Sequence, residues 1–318
     1  MLARLQQAIT LSLIVLAGAW AAWFVASGRP FWALGGALSI LFGYAFFLGI
    51  EFIMLAFARG DDPSPHASPG QLLRAWSGEV VSAPRVFCWR QPFRSNAEPD
   101  HLGDRAQGRR GVLLVHGFVC NRGFWNPWMR RLRAAGVPFI AVNLEPVFGS
   151  IDDYVTTLAD AARRLHDATG LAPLVVAHSM GGLAVRAWLH DAAGAAAAHH
   201  VITIGTPHRG TWLARFGLTF NGHQMRVGNP WLADLRSRED ARRNEPREAA
   251  TYSRYTCFYG HCDNIVFPPS TATLPGADNR HVPATAHVHL AYQDAVFDEV
   301  WRRVGPSSDS TAGALATP

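Results

Sequence analysis

The sequence predicts an α/β domain with a mainly parallel central sheet, preceded by two membrane-spanning helices. Three observations predict it. Short apolar runs alternate with helical stretches from residue 111 onward, and two segments before residue 59 are long and apolar. A Pro/Ser-rich linker, residues 59–70, divides the two materials. The part beyond it, residues 71–304, is long enough to bury one sizeable core.

Residues 1–58 read as a helical hairpin. Residues 5–25 and 31–58 are apolar, and only Ser27-Gly28-Arg29-Pro30 separates them. At about 1.5 Å of rise per residue each covers a hydrocarbon core of about 30 Å. Ala17/Ala21 and Gly18/Ala22 have the small-residue spacing that lets two helices approach. Trp20, Trp23, Phe31 and Trp32 cluster near one boundary, as an aromatic belt does. A cleaved signal peptide, with Ala17-Gly18-Ala19 as its cleavage site, competes for the first span, but the second span would still anchor the chain. Glu51 lies within the second span, either as a polar contact to the partner helix, the preferred expectation, or as a residue near the interface. Arg4, Arg59 and Arg74 outnumber Arg29 of the short connection, so the positive-inside rule puts both ends on the cytoplasmic side of a bacterial-type inner membrane. The linker carries no pattern that ties it to a core, so the globular domain is expected to fold without the hairpin.

In the globular part, residues 71–82 read as a helix, 85–89 as a strand and 96–110 as an exposed polar loop. The strands 111–115 and 139–142 follow, then a helix over 151–168, a strand over 174–177, a helix over 180–193 and a strand over 201–204. This alternation implies a sheet covered on both faces. Residues 255–259 and 280–283 are further strand-like pieces, and the helical spacing of 290–304 closes the domain. Residues 211–253 interrupt the alternation; they begin greasy, with Trp212, Phe216 and Phe220, and end charged, as a cap does. Residues 305–318 read as a disordered tail.

The most informative stretch is Ala177-His178-Ser179-Met180-Gly181-Gly182, which follows an apolar strand and opens a helix. It has the form G-x-S-x-G with Ala177 in the first glycine place. Small residues are needed there because the serine occupies a strained strand-to-helix turn that lifts its hydroxyl above the sheet. A serine needs a base, and in this arrangement the order along the chain is Ser, acid, His. Asp263 follows the strand 255–259 and is the acid of choice over Asp278 and Asp234. His287 lies in the loop before the last helix and is the chosen base, with His289 an open alternative. Phe118 and Met180 supply the backbone N–H pair for a developing oxyanion, next to Gly117 where the backbone can come close. His116 reads as structural.

These pieces resemble the lipase and esterase branch of the α/β-hydrolase superfamily, in order over residues 111–304. The resemblance rests on Leu114-Val-His-Gly-Phe118, Ala177-His-Ser-Met-Gly-Gly182, Gly205-Thr-Pro-His-Arg-Gly-Thr211, Asp263 and His287-Val-His-Leu290. It implies a nucleophile at Ser179, an acid at Asp263, a base at His287 and an oxyanion hole at Phe118 and Met180. It also implies that the segment from Gly205 leads into a lid, as in bacterial triacylglycerol lipases. The chain departs from the pattern at Ala177, and it has no clear aspartate pair for the calcium site that some of those lipases carry.

All 29 basic residues are arginine. Beyond residue 60 there are 26 of them against 23 acids, a balance that excludes a nucleic-acid-binding surface. Nothing suggests a zinc site, and no cofactor is called for. Cys257 and Cys262 either pair in an oxidising compartment or remain buried thiols. The expected function is hydrolysis of a hydrophobic carboxylic ester, a lipid acyl ester above all, through an acyl-enzyme. An acyltransferase or thioesterase using the same residues is the alternative, and a non-catalytic membrane scaffold is a third reading.

Overall fold

The computed structural model describes residues 1–103, 106–191, 197–243 and 252–304. The expected tail, residues 305–318, lies outside the described residues, as does the end of the insertion, 244–251.

Six strands form one parallel sheet: β1 Val112–Val115, β2 Phe139–Ala141, β3 Leu174–His178, β4 His200–Ile204, β5 Tyr255–Tyr259 and β6 Asp278–His281, in the order β2-β1-β3-β4-β5-β6. Alternate side chains go to opposite faces, and each face has its own helices. Leu113, Val115, Val175 and Ala177 meet Leu158, Leu165, Leu183 and Trp188 on one side. Val112, Leu114, Val176 and Ile202 meet Trp128, Met129, Val296 and Val300 on the other. The strand order reverses at β1: the chain passes from β1 to β2 on one side, then returns to β3 on the other. A crevice at the carboxyl ends of β1 and β3 follows from that reversal.

Eleven α-helices are described besides one π-helical segment and short 3-10 turns: α1 Leu2–Ala26, α2 Pro30–Phe57, α3 Pro69–Pro84, α4 Gln91–Arg94, α5 Asn126–Ala134, α6 Val155–Thr169, α7 Met180–Asp191, α8 Phe220–Gln224, α9 Pro230–Arg243, α10 His287–Leu290 and α11 Asp294–Val304. The strand expected over 85–89 is instead a π-helical continuation of α3, Arg85–Arg90. Pro84 has no N–H to give the Val80 carbonyl, and the Tyr44 hydroxyl of α2 donates to that carbonyl instead at 2.9 Å. Tertiary satisfaction of one carbonyl thus lets a helix pass a proline that reads as its end. The loop over 96–110 is tethered: His101 pairs with Phe139, and Asp100 accepts from Arg122 and from the Ala141 amide. The final helix begins later than the spacing suggests, at Asp294, after the separate turn α10.

Helices α1 and α2 are long and apolar enough to cross a membrane. Between them the Trp20 indole lies over Gly36, where a Cβ would clash with the ring. The indole nitrogen donates to the Trp32 carbonyl at 2.9 Å. Gly18, expected at the contact, has no neighbour within 4 Å of a Cβ, whereas Ala17 and Ala33 are buried.

The hairpin is not a separate body tied on by a linker. Phe52 and Leu55 of α2 pack with Ala75, Cys262, Phe267 and Ala286 of the globular part. On α1, Gln6 donates to Gln91 at 2.9 Å and Gln7 to the Pro92 carbonyl at 2.6 Å. In the linker, Asp62 accepts from the Ser270 amide at 3.1 Å. The linker, expected to carry nothing that ties it to a core, is bridged by one: apolar positions on one face of α2 complete a third core cluster with the globular part. Burying such side chains contributes roughly 1.5–3 kcal/mol each. We predict that Leu55→Ala in the full chain costs about 2–4 kcal/mol, and that a chain lacking residues 1–58 unfolds at lower temperature still. Thermal unfolding in one detergent checks both.

Candidate active site

Ser179 follows β3 with φ +55°, a left-handed value that a non-glycine residue adopts only under constraint. The constraint is visible on both sides. Its amide donates to the Ile204 carbonyl at 2.9 Å, tying it to the end of β4. Gly117 presses from β1: a Cβ at 117 would lie 2.7 Å from the Ser179 Cβ, so only glycine lets the two strand ends close. Gly181 is equally hemmed, with the His116 carbonyl 2.5 Å from the position of a Cβ. Met180 starts α7 directly after the serine, and Phe118 follows Gly117, so both residues expected to give oxyanion N–H groups stand at the β1/β3 crevice. Phe118 packs edge-on to Phe148.

Asp263 and His287 are in contact. His287 Nδ1 lies 2.9 Å and 3.0 Å from the two carboxylate oxygens, and both side chains are buried. Asp263 also accepts from the amides of Ile265 and Val266 at 2.9 Å and 2.8 Å. A Cβ on Gly205 would sit 3.0 Å from Asp263 and 3.1 Å from His287. Gly205 directly follows Ile204, which holds the Ser179 amide, so one chain segment joins the serine to the Asp-His pair.

The rivals go elsewhere. Asp278 pairs with Thr256 at the opposite, amino end of the sheet and binds Arg280. Asp234 is an exposed partner of Arg238 on α9. The His289 ring lies against Gly78 of α3, 2.2 Å from the position of a Cβ there. Both histidines belong to the same turn, α10, rather than one to a loop and one to a helix; two residues of separation turn them apart. His116 is bound at both ring nitrogens, giving Nδ1–H to the Gly117 carbonyl at 2.9 Å and receiving the Leu144 amide at 3.0 Å. Burial pushes it down to about 4, so it stays neutral.

Four residues around His287 gave little signal in the sequence. The His287 amide donates to Asn264 Oδ1 at 3.2 Å, and its carbonyl receives His178 Nε2–H at 3.1 Å. Glu79 of α3 accepts from the amides of Val288 and His289, each at 3.0 Å. Glu51 of α2 accepts from Asn264 Nδ2 at 2.5 Å, which corrects its expected pairing with α1. Adjacency to Asp263 could have flagged Asn264, and a lone acid in the otherwise uncharged run from Ala75 to Ala83 could have flagged Glu79. Burial drives Glu79 up to about 7, despite its two amide donors and the nearby His287.

Cys257 and Cys262 are both buried free thiols; Cys257 joins one sheet face and Cys262 the cluster beneath α2. Burial raises each to about 11, which makes them poor nucleophiles at neutral pH. Among the described residues no group of histidine, cysteine and carboxylate side chains could hold a metal ion.

A sequence profile described as the alpha/beta hydrolase family matches residues 112–311. The chain belongs to the alpha/beta hydrolase family. Its solved structural neighbours include the lipase BlEst2 of Bacillus licheniformis in its mature form, with TM-score 0.52 and 19% identity over 62% of this chain and 92% of that one. The propeptide form of the same lipase gives TM-score 0.52 and 19% identity over 66% of this chain and 53% of that one. Lipase B of Aspergillus fumigatus has TM-score 0.48 and 17% identity over 62% and 52%. No curated protein matches the chain in sequence. In this hydrolase the similarity to solved structures extends to the fold and the two N-terminal helices lie outside the matched profile.

His287 is subject to opposing effects. Burial lowers its pKa, but the charge and hydrogen bond of Asp263, with Glu79 and Glu51 behind, outweigh burial and leave it above the ordinary 6.5. The base expected at His287 must be neutral to accept a proton, so the activity expected of it is lost as pH falls through that raised value. We predict a pH profile of kcat/KM for a soluble ester with an acid limb centred above 6.5, moving downward in Asp263→Asn.

Proposed function

We propose that this alpha/beta hydrolase is a membrane-anchored serine hydrolase that cleaves carboxylic esters of lipid acyl chains. Ser179 attacks the acyl carbon, His287 takes its proton and returns it to the leaving alcohol, and Asp263 holds the imidazole and balances its charge. The N–H groups of Phe118 and Met180 receive the oxyanion. Water, activated by the same histidine, then releases the acid from the acyl-enzyme. The observation that carries the reading is the buried Asp263–His287 contact beside Gly205, one residue from the carbonyl that anchors the strained Ser179.

Support for a lipid substrate comes from the insertion. Trp212 and Leu213 pack in the cluster that Phe52, Leu55 and Ala58 share, so the insertion starts against the end of α2. From there Phe216, Leu218 and Phe220 present exposed apolar side chains, Leu218 at 92% exposure. A greasy edge continuous with an apolar helix suits a bilayer surface rather than water. The lipase neighbours are in keeping with this reading at the level of fold.

Ser179→Ala should leave only what binding and the oxyanion donors supply, a fall of roughly 10³-fold or more in kcat, with fluorophosphonate labelling abolished. His287→Ala should do the same, while His289→Ala stays within several-fold of the parent; the reverse pattern would move the base to His289. For the substrate, Leu218→Asp together with Phe216→Ser should lower hydrolysis of ester lipid in liposomes by at least tenfold and leave turnover of a short p-nitrophenyl ester within about twofold. Equal loss on both substrates would remove the insertion from membrane access.

A further inference from the structure

Glu51 sits in a helix that is otherwise apolar, on the face that carries Phe52 and Leu55, while Ile50, Ile53 and Phe57 are exposed on the other. A carboxyl group there is costly unless it is well partnered. Any apolar residue would anchor the chain better. Its partner is the side chain of Asn264, whose other end receives the His287 amide.

The chemistry of the amide side chain explains what this contact does. Asn264 has one accepting end and one donating end, and either could be turned toward His287. Only the oxygen can serve the His287 N–H. Glu51 Oε2 accepts from the Asn264 NH2, and this contact fixes the amide with Oδ1 facing His287. Glu79 acts on the next two amides, Val288 and His289, from α3. His178 holds the His287 carbonyl from β3. The backbone of the histidine is thereby clamped by the sheet on one side and by α2 and α3 on the other.

On the reading of His287 as the base, we propose that Glu51 of the membrane hairpin is a positioning residue for catalysis, acting through Asn264, so that the hairpin is a working part of the active site as well as an anchor. The groups that face His287 are Asp263 from the loop after β5, His178 from β3, Glu79 from α3 and Glu51 from α2.

The test uses the full chain in detergent micelles and a short soluble ester, so that membrane access plays no part. Labelling by a fluorophosphonate is followed in time: its end point counts competent sites, and its rate reports how well His287 is held. Glu51→Leu should lower the labelling rate constant and kcat at least tenfold, with KM within threefold and the end point retained. Glu51→Gln, which can still accept from Asn264, should recover most of that loss. Glu51→Leu should add less than twofold when Asn264 is already Ala. As a control, Gln7→Ala removes a different hairpin hydrogen bond, to Pro92, and should change the rate constant by less than twofold. The proposal is overturned if Glu51→Leu labels at the parental rate, if it loses only end point, or if Gln7→Ala slows labelling equally. Failure of the triad reading looks different: Ser179→Ala or His287→Ala would then still label.

Discussion

A buried imidazole must have its ring and the backbone around it satisfied, because water is not there to do it. At His287 this requirement is met from several elements at once. Its ring meets Asp263, its amide meets Asn264, its carbonyl meets His178, and the amides after it meet Glu79. Those partners come from the strand that carries the serine, the loop after β5, the helix after the linker and, at one remove, the apolar hairpin. Much of the architecture can be understood as the scaffold that brings them to one corner of the sheet.

The second constraint is the crowding at the carboxyl ends of β1 and β3. Gly117, Gly181 and the left-handed Ser179 fit together with no room for another Cβ. The strand order reverses there, so the crevice is built by topology and the strain is borne by a core packed on both faces. Strain held by a rigid frame keeps the serine raised without letting it relax.

The hairpin changes meaning once it is seen in place. Its far part is exposed and apolar, while the ends of its two helices nearest the linker dock on the hydrolase domain through Gln6, Gln7, Phe52 and Leu55. The start of the insertion packs against that same end. The hairpin, the start of the insertion and the loop around Asp263 therefore share one apolar cluster, and a disturbance of one is felt by the others.

The parallel sheet, its covering helices and the two apolar helices were legible in the sequence, because periodicity and length report burial directly. The small residues around Ser179 were legible too, since a tight turn admits few alternatives. Three things were decided only in three dimensions. Residues 85–90 remain helical because Tyr44, some forty positions earlier, satisfies the carbonyl that Pro84 leaves free. His287 and His289 share a turn, and Gly78 and Asp263, far apart in sequence, determine which way each points. Glu51 reads in sequence as a polar fault in a span and becomes the partner of Asn264 because α2 packs against the loop after β5, 213 residues on. Local pattern encodes which face of an element is buried; it does not encode which distant polar group waits on the other side.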